Sequence, residues 1–345
     1  IVVHGGAGYH SERLESVHAI KKALRRSVNY TKLSLQRCAA VDAVEEAICE
    51  LEDDPCLNAG TGSNLNYDGD IECDASIMSG NGSHFGGVAA VSGVKNPIKI
   101  ARALLENAKI PGPLGRVHPM TLVAQGAVKF AASVGIETVP PASMVSTEAQ
   151  EIWRKWRARL EQAEGGHEVH EMLLQDTVGA VALDKQFNVS AGVSSGGILL
   201  KYPGRLGEAA AYGAGCWASS SGIACSVSGN GEQITRTLLA QKIVHQVELA
   251  ADEADEIIRT ILVHDFIRPC RDRGDIEPNA GVILLVNEHT DYGSTRLWCA
   301  FTTSSMAIAY ASSSKTKPKA LILRRPQNQN SKEPVFIAAL PLHRD

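Results

Sequence analysis

The sequence lacks several patterns that mark common classes of function. No apolar run reaches the roughly 18–20 residues of a membrane span, and no secretory signal pattern is visible. The formal net charge of −4 gives no general attraction to nucleic acid or to an anionic membrane. None of the eight cysteines forms a C-x-x-C pair, and they stand among apolar neighbours. We therefore expect no membrane segment, no nucleic-acid partner, no metal and no other cofactor, and reduced thiols in a cytosolic or nuclear protein.

What the chain does contain is typical of a compact protein with many tight turns. Hydrophobic residues make up 44% of its 345 residues, and 31 residues are glycine. Helical spacing predicts helices over 16–28, 39–51, 97–108, 121–132, 147–164, 233–246 and 250–263. Strands are predicted over 71–78, 86–94, 177–184, 188–193, 281–286, 297–302 and 306–311, and the tail is expected to be loosely held from 315 until the apolar residues 335–337. Two packed sheets with helices outside them would bury this much apolar strand.

The segment with the clearest chemical potential is Asp176-Thr177-Val178-Gly179. A glycine-containing polar stretch, which we predict to be mobile, precedes it, and an apolar strand-like run follows it. A threonine hydroxyl is a weak nucleophile. Breakage of the Asp176–Thr177 bond would give Thr177 a free α-amine with a pKa of roughly 7.7–8.0, so that nucleophile and base belong to one residue. Taken alone, the same residues are more often simply the start of a strand.

Three other segments contain small or charged residues that suggest a site. A predicted strand runs into the glycine-rich loop at 5–10, which lets backbone N–H groups approach a ligand but lacks the spacing of phosphate-binding loops. Ser228-Gly229 comes just before a predicted helix N-terminus, which suits an oxyanion. Glu72 and Asp74 share one face of a predicted strand, where solvent exposure and a buried role are equally open.

Seven motifs occur in the same order as in one known enzyme family, and they span nearly the whole chain. They are His4-Gly5-Gly6-Ala7-Gly8, Asn58-Ala59-Gly60 with Gly62-Ser63, Glu72 with Asp74-Ala75-Ser76-Ile77-Met78, Asp176-Thr177-Val178-Gly179-Ala180-Val181, Ser195-Gly196-Gly197, Pro203-Gly204-Arg205, and Ser228-Gly229-Asn230-Gly231-Glu232. Together they resemble the threonine-nucleophile, asparaginase-like branch of the N-terminal nucleophile (Ntn) hydrolases. Within that branch the chain is most similar to the threonine aspartases, or taspases, through Gly8-Tyr9-His10-Ser11-Glu12, Gly62-Ser63-Asn64-Leu65-Asn66, Ile71-Glu72-Cys73-Asp74 and Gly215-Cys216-Trp217-Ala218. An aspartate before the nucleophile, where plant-type asparaginases usually carry glycine, points the same way, although glycosylasparaginases also cleave after aspartate.

The resemblance implies an α+β fold, the four-layer αββα sandwich of Ntn hydrolases, in one domain over 1–345. It implies a zymogen that cleaves itself into an α subunit, 1–176, and a β subunit, 177–345. These would assemble as a homodimer of precursors or an (αβ)2 heterotetramer. It also implies a threonine-type endopeptidase that cuts protein substrates with aspartate at P1, among them nuclear regulatory proteins, so nucleus and cytoplasm are the expected locations.

The resemblance assigns catalytic roles to four residues. Thr177 matches the nucleophile and, with Asp176, forms the autocleavage site. Ser195 matches a hydroxyl kept beside the nucleophile's amine. Ser228 and Gly229 match the pair that stabilises the oxyanion. Without the family order, small polar residues such as these in glycine loops would be assigned to turn capping.

Substrate-binding roles are implied for Arg205, Asn58 and Gly6. The planar fork of Arg205 can hold a carboxylate, which is the P1 side chain in an aspartase and the α-carboxylate in an asparaginase. Asn58 matches an amide that faces the scissile region, and Gly6 a glycine that borders the nucleophile. Glu208 departs from the taspase pattern, since an acid in this loop holds the α-ammonium of a small substrate in asparaginases. L-asparaginase or isoaspartyl peptidase activity is therefore the alternative, and a protein that matures without turnover is a third possibility.

Overall fold

The computed structural model describes residues 1–165, 176–250, 253–275, 277–287, 295–312, 317–326 and 334–342. Its strands are β1 (Val2–Gly8), β2 (Cys73–Ser79), β3 (Phe85–Val91), β4 (Thr121–Val123), β5 (Val178–Leu183), β6 (Val189–Ser195), β7 (Cys216–Ala218), β8 (Ile223–Gly229), β9 (Ala280–Asn287), β10 (Thr295–Phe301), β11 (Ser305–Tyr310), β12 (Lys319–Arg324) and β13 (Phe336–Leu342). Its α-helices are α1 (Leu14–Ser34), α2 (Ala40–Glu52), α3 (Pro97–Asn107), α4 (Ala124–Ser133), α5 (Thr147–Glu164), α6 (Gly231–Thr237), α7 (Leu239–Leu249), α8 (Ala254–Thr260) and α9 (Arg268–Asp272). In these ranges no helix combines the length and the apolar character needed to cross a bilayer.

Two sheets form the centre of the molecule. The larger has eight strands in the order β12-β11-β1-β5-β6-β2-β3-β4, and the smaller has five in the order β13-β10-β9-β8-β7. The sheets pack face to face, with α1 to α4 outside the larger sheet and α7 and α8 outside the smaller one. The predicted four-layer αββα sandwich is confirmed.

Side chains of the central strands are buried on both faces of the larger sheet. On β5, Val178, Ala180 and Ala182 join the core beneath α1 to α4, whereas Val181 points into the core between the sheets. Successive side chains of a strand point to opposite faces, so a strand between two cores must be apolar almost throughout. This explains the nearly continuous apolar run after Thr177 and places that residue directly before a buried central strand.

The parts of the chain before and after Thr177 are interleaved in one sheet. Strands β1 to β4 precede Thr177, while β5, β6, β11 and β12 follow it, and β1 lies between β11 and β5. Strand β2 pairs with β6 as well. A cut at Asp176–Thr177 would therefore leave the two pieces joined by ladders of backbone hydrogen bonds. The division into subunits at this bond stays a prediction.

Some predicted element boundaries are wrong. The helix expected over 121–132 begins only at α4, because residues 121–123 pair in parallel with β3 as β4. The helix expected over 233–246 is broken at Leu238, whose φ of 47° is left-handed, which separates α6 from α7.

The C-terminal part differs from expectation in a similar way. The described part of the helix expected over 250–263 is α8, which continues through a π-helical turn at Ile261–Ile267 into α9. The tail expected to be loosely held contains β12, which pairs with β11 along its length. The stretch expected to be mobile before Thr177 lies, over 166–175, outside the described residues.

Candidate active site

Thr177 is buried at the start of β5, and its backbone is held by His4 of β1. His4 Nδ1 lies 2.9 Å from the carbonyl oxygen of Thr177, and Nε2 lies 2.9 Å from the hydroxyl of Ser226 on β8. A carbonyl oxygen only accepts, so Nδ1 carries the hydrogen and donates it. Burial lowers the pKa of His4 to about 4, which makes the ring neutral near pH 7. His4 thus connects the start of β5, in the larger sheet, to β8 of the smaller sheet.

The Thr177 hydroxyl contacts two polar side chains. Its Oγ1 lies 2.8 Å from Glu208 Oε1 and 3.1 Å from Ser195 Oγ. A hydroxyl carries one hydrogen and an ionised carboxylate can only accept, so with Glu208 ionised Thr177 donates to Glu208 and Ser195 donates to Thr177. Ser195 Oγ also accepts a hydrogen bond of 2.9 Å from the N–H of Gly197. The hydrogen bonds therefore run in one direction, from Gly197 through Ser195 and Thr177 to Glu208.

The carbonyl before Thr177 has its own hydrogen-bond donor. Asn58 Nδ2 donates to the Asp176 carbonyl oxygen at 2.7 Å and to the Gly197 carbonyl oxygen at 2.9 Å. Asn58 Oδ1 accepts from the N–H of Asn64 at 2.9 Å, which fixes the orientation of the amide. The amide that was expected to face the scissile region therefore lies on the carbonyl of the Asp176–Thr177 bond.

Gly6 lies directly against the Asp176 side chain. Its φ is 104°, and a Cβ there would lie 2.4 Å from Asp176 Oδ1. Only glycine meets both the backbone conformation and the space. Asp176 Oδ1 is buried without a hydrogen-bond partner among the described residues, and burial raises the pKa of this carboxyl to about 7.

The Arg205 guanidinium and the Glu208 carboxyl lie close to each other and line the same cavity as Thr177. Arg205 donates from Nε and Nη2 to the two carboxylate oxygens of Glu232, at 2.8 and 2.6 Å. A Cβ on Gly231 would lie 2.5 Å from Glu208 Oε2 and 2.6 Å from Arg205 Nη2, so both side chains approach this glycine. Burial raises the pKa of Glu208 to about 7, against the opposing effect of the Arg205 guanidinium and the Thr177 hydrogen bond. Glu232 accepts two of the five N–H donors of the guanidinium, and no other hydrogen bond joins this guanidinium to the described residues.

The loop that carries Arg205 is held by the segment around β2. Asp74 accepts from the N–H groups of Ala90 and Gly207, at 2.9 and 2.7 Å, and Glu72 accepts from the N–H of Gly204 at 2.9 Å. Asp74 is fully buried, and burial raises its pKa. The solvent-facing interpretation of Asp74 is therefore wrong, and its carboxylate helps to hold the loop that carries Arg205.

The expected oxyanion pair is divided between two environments. Ser228 Oγ accepts from the N–H of Ala7 at 3.1 Å and so ties β8 to β1. Gly229 instead borders a cavity of about 10 Å³. The cavity is formed by Asp176, Thr177, Ser195, Gly197, Ile198, Arg205, Glu208, Gly229 and Gly231. The helix expected at 233 begins two residues earlier, at Gly231, with Asn230 accepting from the N–H of Gln233.

The structure thus gathers Thr177, Ser195, Arg205 and Gly229 around one cavity, with Asn58 and Gly6 against Asp176. Sequence reasoning missed two contacts: Glu208 to the Thr177 hydroxyl, and Glu232 to Arg205. Glu232 ends the last of the seven motifs, but nothing in the neighbouring sequence indicated that its partner would be Arg205, 27 positions earlier.

The family model and the relatives that match this chain indicate the same family. The Asparaginase_2 family model, described as Asparaginase, matches residues 1–317. The isoaspartyl peptidase/L-asparaginase of Xenopus laevis is 39% identical over 250 residues, which cover 72% of this chain and 75% of the relative. The plant-type L-asparaginase of Pyrococcus abyssi (strain GE5 / Orsay) is 38% identical over 261 residues, or 73% of this chain and 80% of the relative. The isoaspartyl peptidase/L-asparaginase of Bos taurus is 38% identical over 248 residues, or 72% and 76%.

These relatives overturn one expectation from the sequence. An endopeptidase of the threonine aspartase type is contradicted, because proteins similar over most of the chain have the names of asparaginases and isoaspartyl peptidases. The local motifs that suggested a taspase are short, whereas the similarity to these relatives extends over 248 to 261 residues. The chain belongs to the Asparaginase_2 family of Ntn hydrolases.

Proposed function

We propose that this protein is a self-processing amidohydrolase that cleaves the side-chain amide of L-asparagine and the β-aspartyl bond of isoaspartyl dipeptides, with Thr177 as its nucleophile. The observation that carries the proposal is the placement of Arg205 and Glu208 beside the Thr177 hydroxyl. Both substrates have an α-carboxylate and an α-ammonium next to the bond that is cleaved. A guanidinium and a carboxylate in one buried pocket match these two charges.

Self-cleavage precedes turnover in this proposal. The Thr177 hydroxyl attacks the Asp176 carbonyl carbon, and Asn58 donates a hydrogen bond to the oxygen that becomes negative. The C–N bond then breaks to leave an ester on Thr177 Oγ1, which water hydrolyses. In the uncut chain the cavity at Thr177 is about 10 Å³, roughly the space of one water molecule. Departure of Asp176 is therefore required before asparagine can enter.

Turnover then uses the amine that the cut produces. This amine accepts the proton of Thr177 Oγ1 while the oxygen attacks the side-chain carbonyl of the substrate. Ser195 donates to the nucleophile and orients it, and the N–H of Gly229 faces the oxyanion. Arg205 holds the α-carboxylate with the N–H groups that Glu232 leaves free, and Glu208 holds the α-ammonium. Ammonia or an amino acid leaves, and water hydrolyses the ester.

The test compares substrates that differ by one charge. Purified protein, shown by intact mass to be cut before Thr177, is assayed with L-asparagine, N-acetyl-L-asparagine and L-asparagine amide. The first has both charges, the second lacks the ammonium and the third lacks the carboxylate. A β-aspartyl dipeptide and a peptide with an internal Asp–Gly bond complete the series, with Thr177→Ala as the inactive control.

We expect hydrolysis of L-asparagine and the β-aspartyl dipeptide, and at least tenfold lower kcat/KM for the two singly charged analogues. If only the internal Asp–Gly peptide is cut, or if the analogues are hydrolysed as fast as L-asparagine, the proposal is wrong.

A further inference from the structure

Self-cleavage needs a base other than the one used in turnover. The α-nitrogen of Thr177 is part of a peptide bond until that bond breaks, and an amide nitrogen does not accept a proton near neutral pH. A threonine hydroxyl does not ionise by itself. The uncut chain must therefore supply a proton acceptor within reach of Thr177 Oγ1.

We propose that Glu208 is this proton acceptor, and that it turns to substrate binding only after the cut. The inference rests on the proposed function, in which Thr177 cleaves its own chain. Among the described residues, the side chains hydrogen-bonded to Thr177 Oγ1 are Ser195 and Glu208, and Glu208 is the stronger base of the two. The 2.8 Å between Oγ1 and Oε1 is within the range of a direct proton transfer.

Hydrogen-bond direction supports this role. Ser195 Oγ already accepts from the N–H of Gly197, so its own hydrogen is free to point at Thr177. The Thr177 hydrogen then points at Glu208, which leaves an oxygen lone pair available for the attack. Ser195 stabilises the alkoxide as it forms, and Glu208 receives the proton.

Charged groups around Glu208 keep it both ionisable and basic. Arg205 favours its ionised form, while Glu232 offsets part of the Arg205 charge. Asp74 and burial oppose ionisation, and Asp176 borders the same cavity. The pKa of about 7 that results suits a base operating near neutral pH. The Glu208 side chain is long enough to reach from its loop to Thr177 Oγ1, so the proton can be transferred directly.

The step balances without any added reagent. The proton of Thr177 Oγ1 moves to Glu208 Oε1 as the bond between Oγ1 and the Asp176 carbonyl carbon forms. Glu208 returns that proton to the Thr177 nitrogen as the C–N bond breaks, which gives a free amine and an ester. Water then adds to the ester carbon, and its proton passes through the new amine to Oγ1, which leaves as the hydroxyl. Glu208 ends as it began and faces an open pocket.

Asp176 is the competing base, since its carboxyl also lies in the cavity. Its pKa is likewise raised to about 7, but no hydrogen bond joins its carboxyl to Thr177 Oγ1 in the structure, and its Oδ1 lies against Gly6. The two candidates are separated by substituting each one.

The experiment follows self-cleavage of the full-length chain, made by cell-free synthesis at pH 5.5 and shifted to values between pH 5.5 and 9. Cleavage is quantified on denaturing gels for the wild type, Glu208→Gln, Glu208→Asp, Asp176→Asn and Thr177→Ala. Near-ultraviolet circular dichroism checks that each variant is folded. We expect the wild-type rate to rise with pH to a plateau, with an apparent pKa near 7. Glu208→Gln, which keeps the shape but accepts no proton, should be cut at least about 100-fold more slowly and without that pKa.

Glu208→Asp should restore part of the rate, because a shorter carboxylate is still a base. The inference is overturned if Glu208→Gln is cut within about threefold of the wild type, if the wild-type rate is independent of pH, or if Asp176→Asn alone abolishes the pH dependence. A wild type that cuts itself through Glu208 but does not hydrolyse asparagine overturns the proposed substrate and leaves the inference standing. If Glu208→Gln is cut at the wild-type rate while the cut wild type hydrolyses L-asparagine, the inference is overturned and the proposed function stands. A wild type that never cuts itself overturns both.

Discussion

Asn58 Nδ2 donates a hydrogen bond of 2.7 Å to the carbonyl oxygen of Asp176, a residue 118 positions later in the sequence. The same amide is oriented from behind by the N–H of Asn64. Attack of Thr177 on this carbonyl would place negative charge on the oxygen that Asn58 contacts. A donor that is already aimed needs no reorganisation when that charge develops.

We predict that Asn58→Ala slows self-cleavage by about 10²–10³-fold, the usual effect of removing one oxyanion donor. The measurement is a time course of cleavage on denaturing gels. Asn64→Ala is the matched control, because the Asn64 side chain donates to the Gly197 carbonyl at 3.0 Å and not to Asp176. Equal rates for Asn58→Ala and the wild type would show that another group stabilises the oxyanion.

Gly6→Ala should both destabilise the fold and prevent self-cleavage. Its φ of 104° is unfavourable for alanine, and the new methyl group would lie 2.4 Å from Asp176 Oδ1 and push this residue away from Thr177. The backbone strain alone costs of order 1–3 kcal/mol. Thermal unfolding and gel analysis measure the two effects.

Gly126→Ala is the control for Gly6→Ala. A Cβ at Gly126, in α4, meets nothing within 4 Å, so this variant should unfold at or above the wild-type temperature and cut normally. A Gly6→Ala protein that cuts at the wild-type rate would contradict the placement of Asp176 against Gly6.

Arg205→Lys should raise the KM for L-asparagine roughly 10–100-fold, with a smaller effect on kcat. Lysine keeps the positive charge, but it cannot hold Glu232 with two parallel bonds and a substrate carboxylate at the same time. Hydrogen bonds to charged groups contribute about 1.5–3 kcal/mol, which corresponds to this range. Steady-state kinetics on fully cut protein provide the measurement.

Arg236→Ala serves as the control for Arg205→Lys, since Arg236 is on α6 and contacts the backbone carbonyl of Glu232. Unchanged KM in Arg205→Lys would remove Arg205 from substrate binding.

The buried carboxyl of Glu52 should make the protein less stable as the pH rises. Ser194 and the N–H of Ile98 donate to its Oε1, while its Oε2 has no hydrogen-bond partner in the described ranges. Burial raises the pKa of Glu52 from an ordinary 4.5 to about 8. Between these values the folded state holds more protons than the unfolded state, so the free energy of unfolding falls as the pH increases.

We predict that Glu52→Gln flattens this decline, because glutamine does not titrate. The measurement is the melting temperature of both proteins between pH 4.5 and 8, where the difference between variant and wild type should increase with pH. Glu50→Gln, which removes a surface carboxylate that pairs with Arg26, accounts for the loss of one charge. Parallel curves for Glu52→Gln and the wild type would contradict the raised pKa.

Several features of the site could be predicted from the chain alone, for a common reason. The Asp-Thr-Val-Gly step, the glycine-rich segment at 5–10 and the polar loop at Asn58 are short local sequences with unusual composition. The glycine-rich segment was expected to be a loop, but residues 5–8 belong to β1. Each of the three corresponds to a local feature of the structure: a buried threonine at the start of β5, a glycine of positive φ that lies against Asp176, and an amide that contacts the Asp176 carbonyl. Such features appear in consecutive residues, and the order of the motifs then identified the family.

The main expectation for the activity, cleavage of proteins after aspartate, was wrong, whereas the alternative that Glu208 suggested agrees with the names of the relatives. Asp176 and the short taspase-like motifs pointed to aspartyl bonds in proteins, but Asp176 is a residue of this chain and does not identify a separate substrate. Substrate choice depends on charges that line the pocket after folding. Arg205 and Glu208 can both be identified in the sequence, but the sequence did not indicate that their side chains lie close together beside Gly231.

The sequence by itself determined the layers of the fold, because apolar strands buried on both faces require two sheets with helices outside them. It also singled out Thr177 as the candidate nucleophile, because a polar stretch meets an apolar strand at this residue, and that role stays a prediction. Only the tertiary structure decided which groups contact that threonine. Glu208 lies 31 positions from Thr177 and Asn58 lies 118 positions from Asp176, and contacts at such separations are set by how the sheets and loops pack. Hydrogen bonds act over about 3 Å, so no pattern along the chain can specify them until packing has brought the partners together.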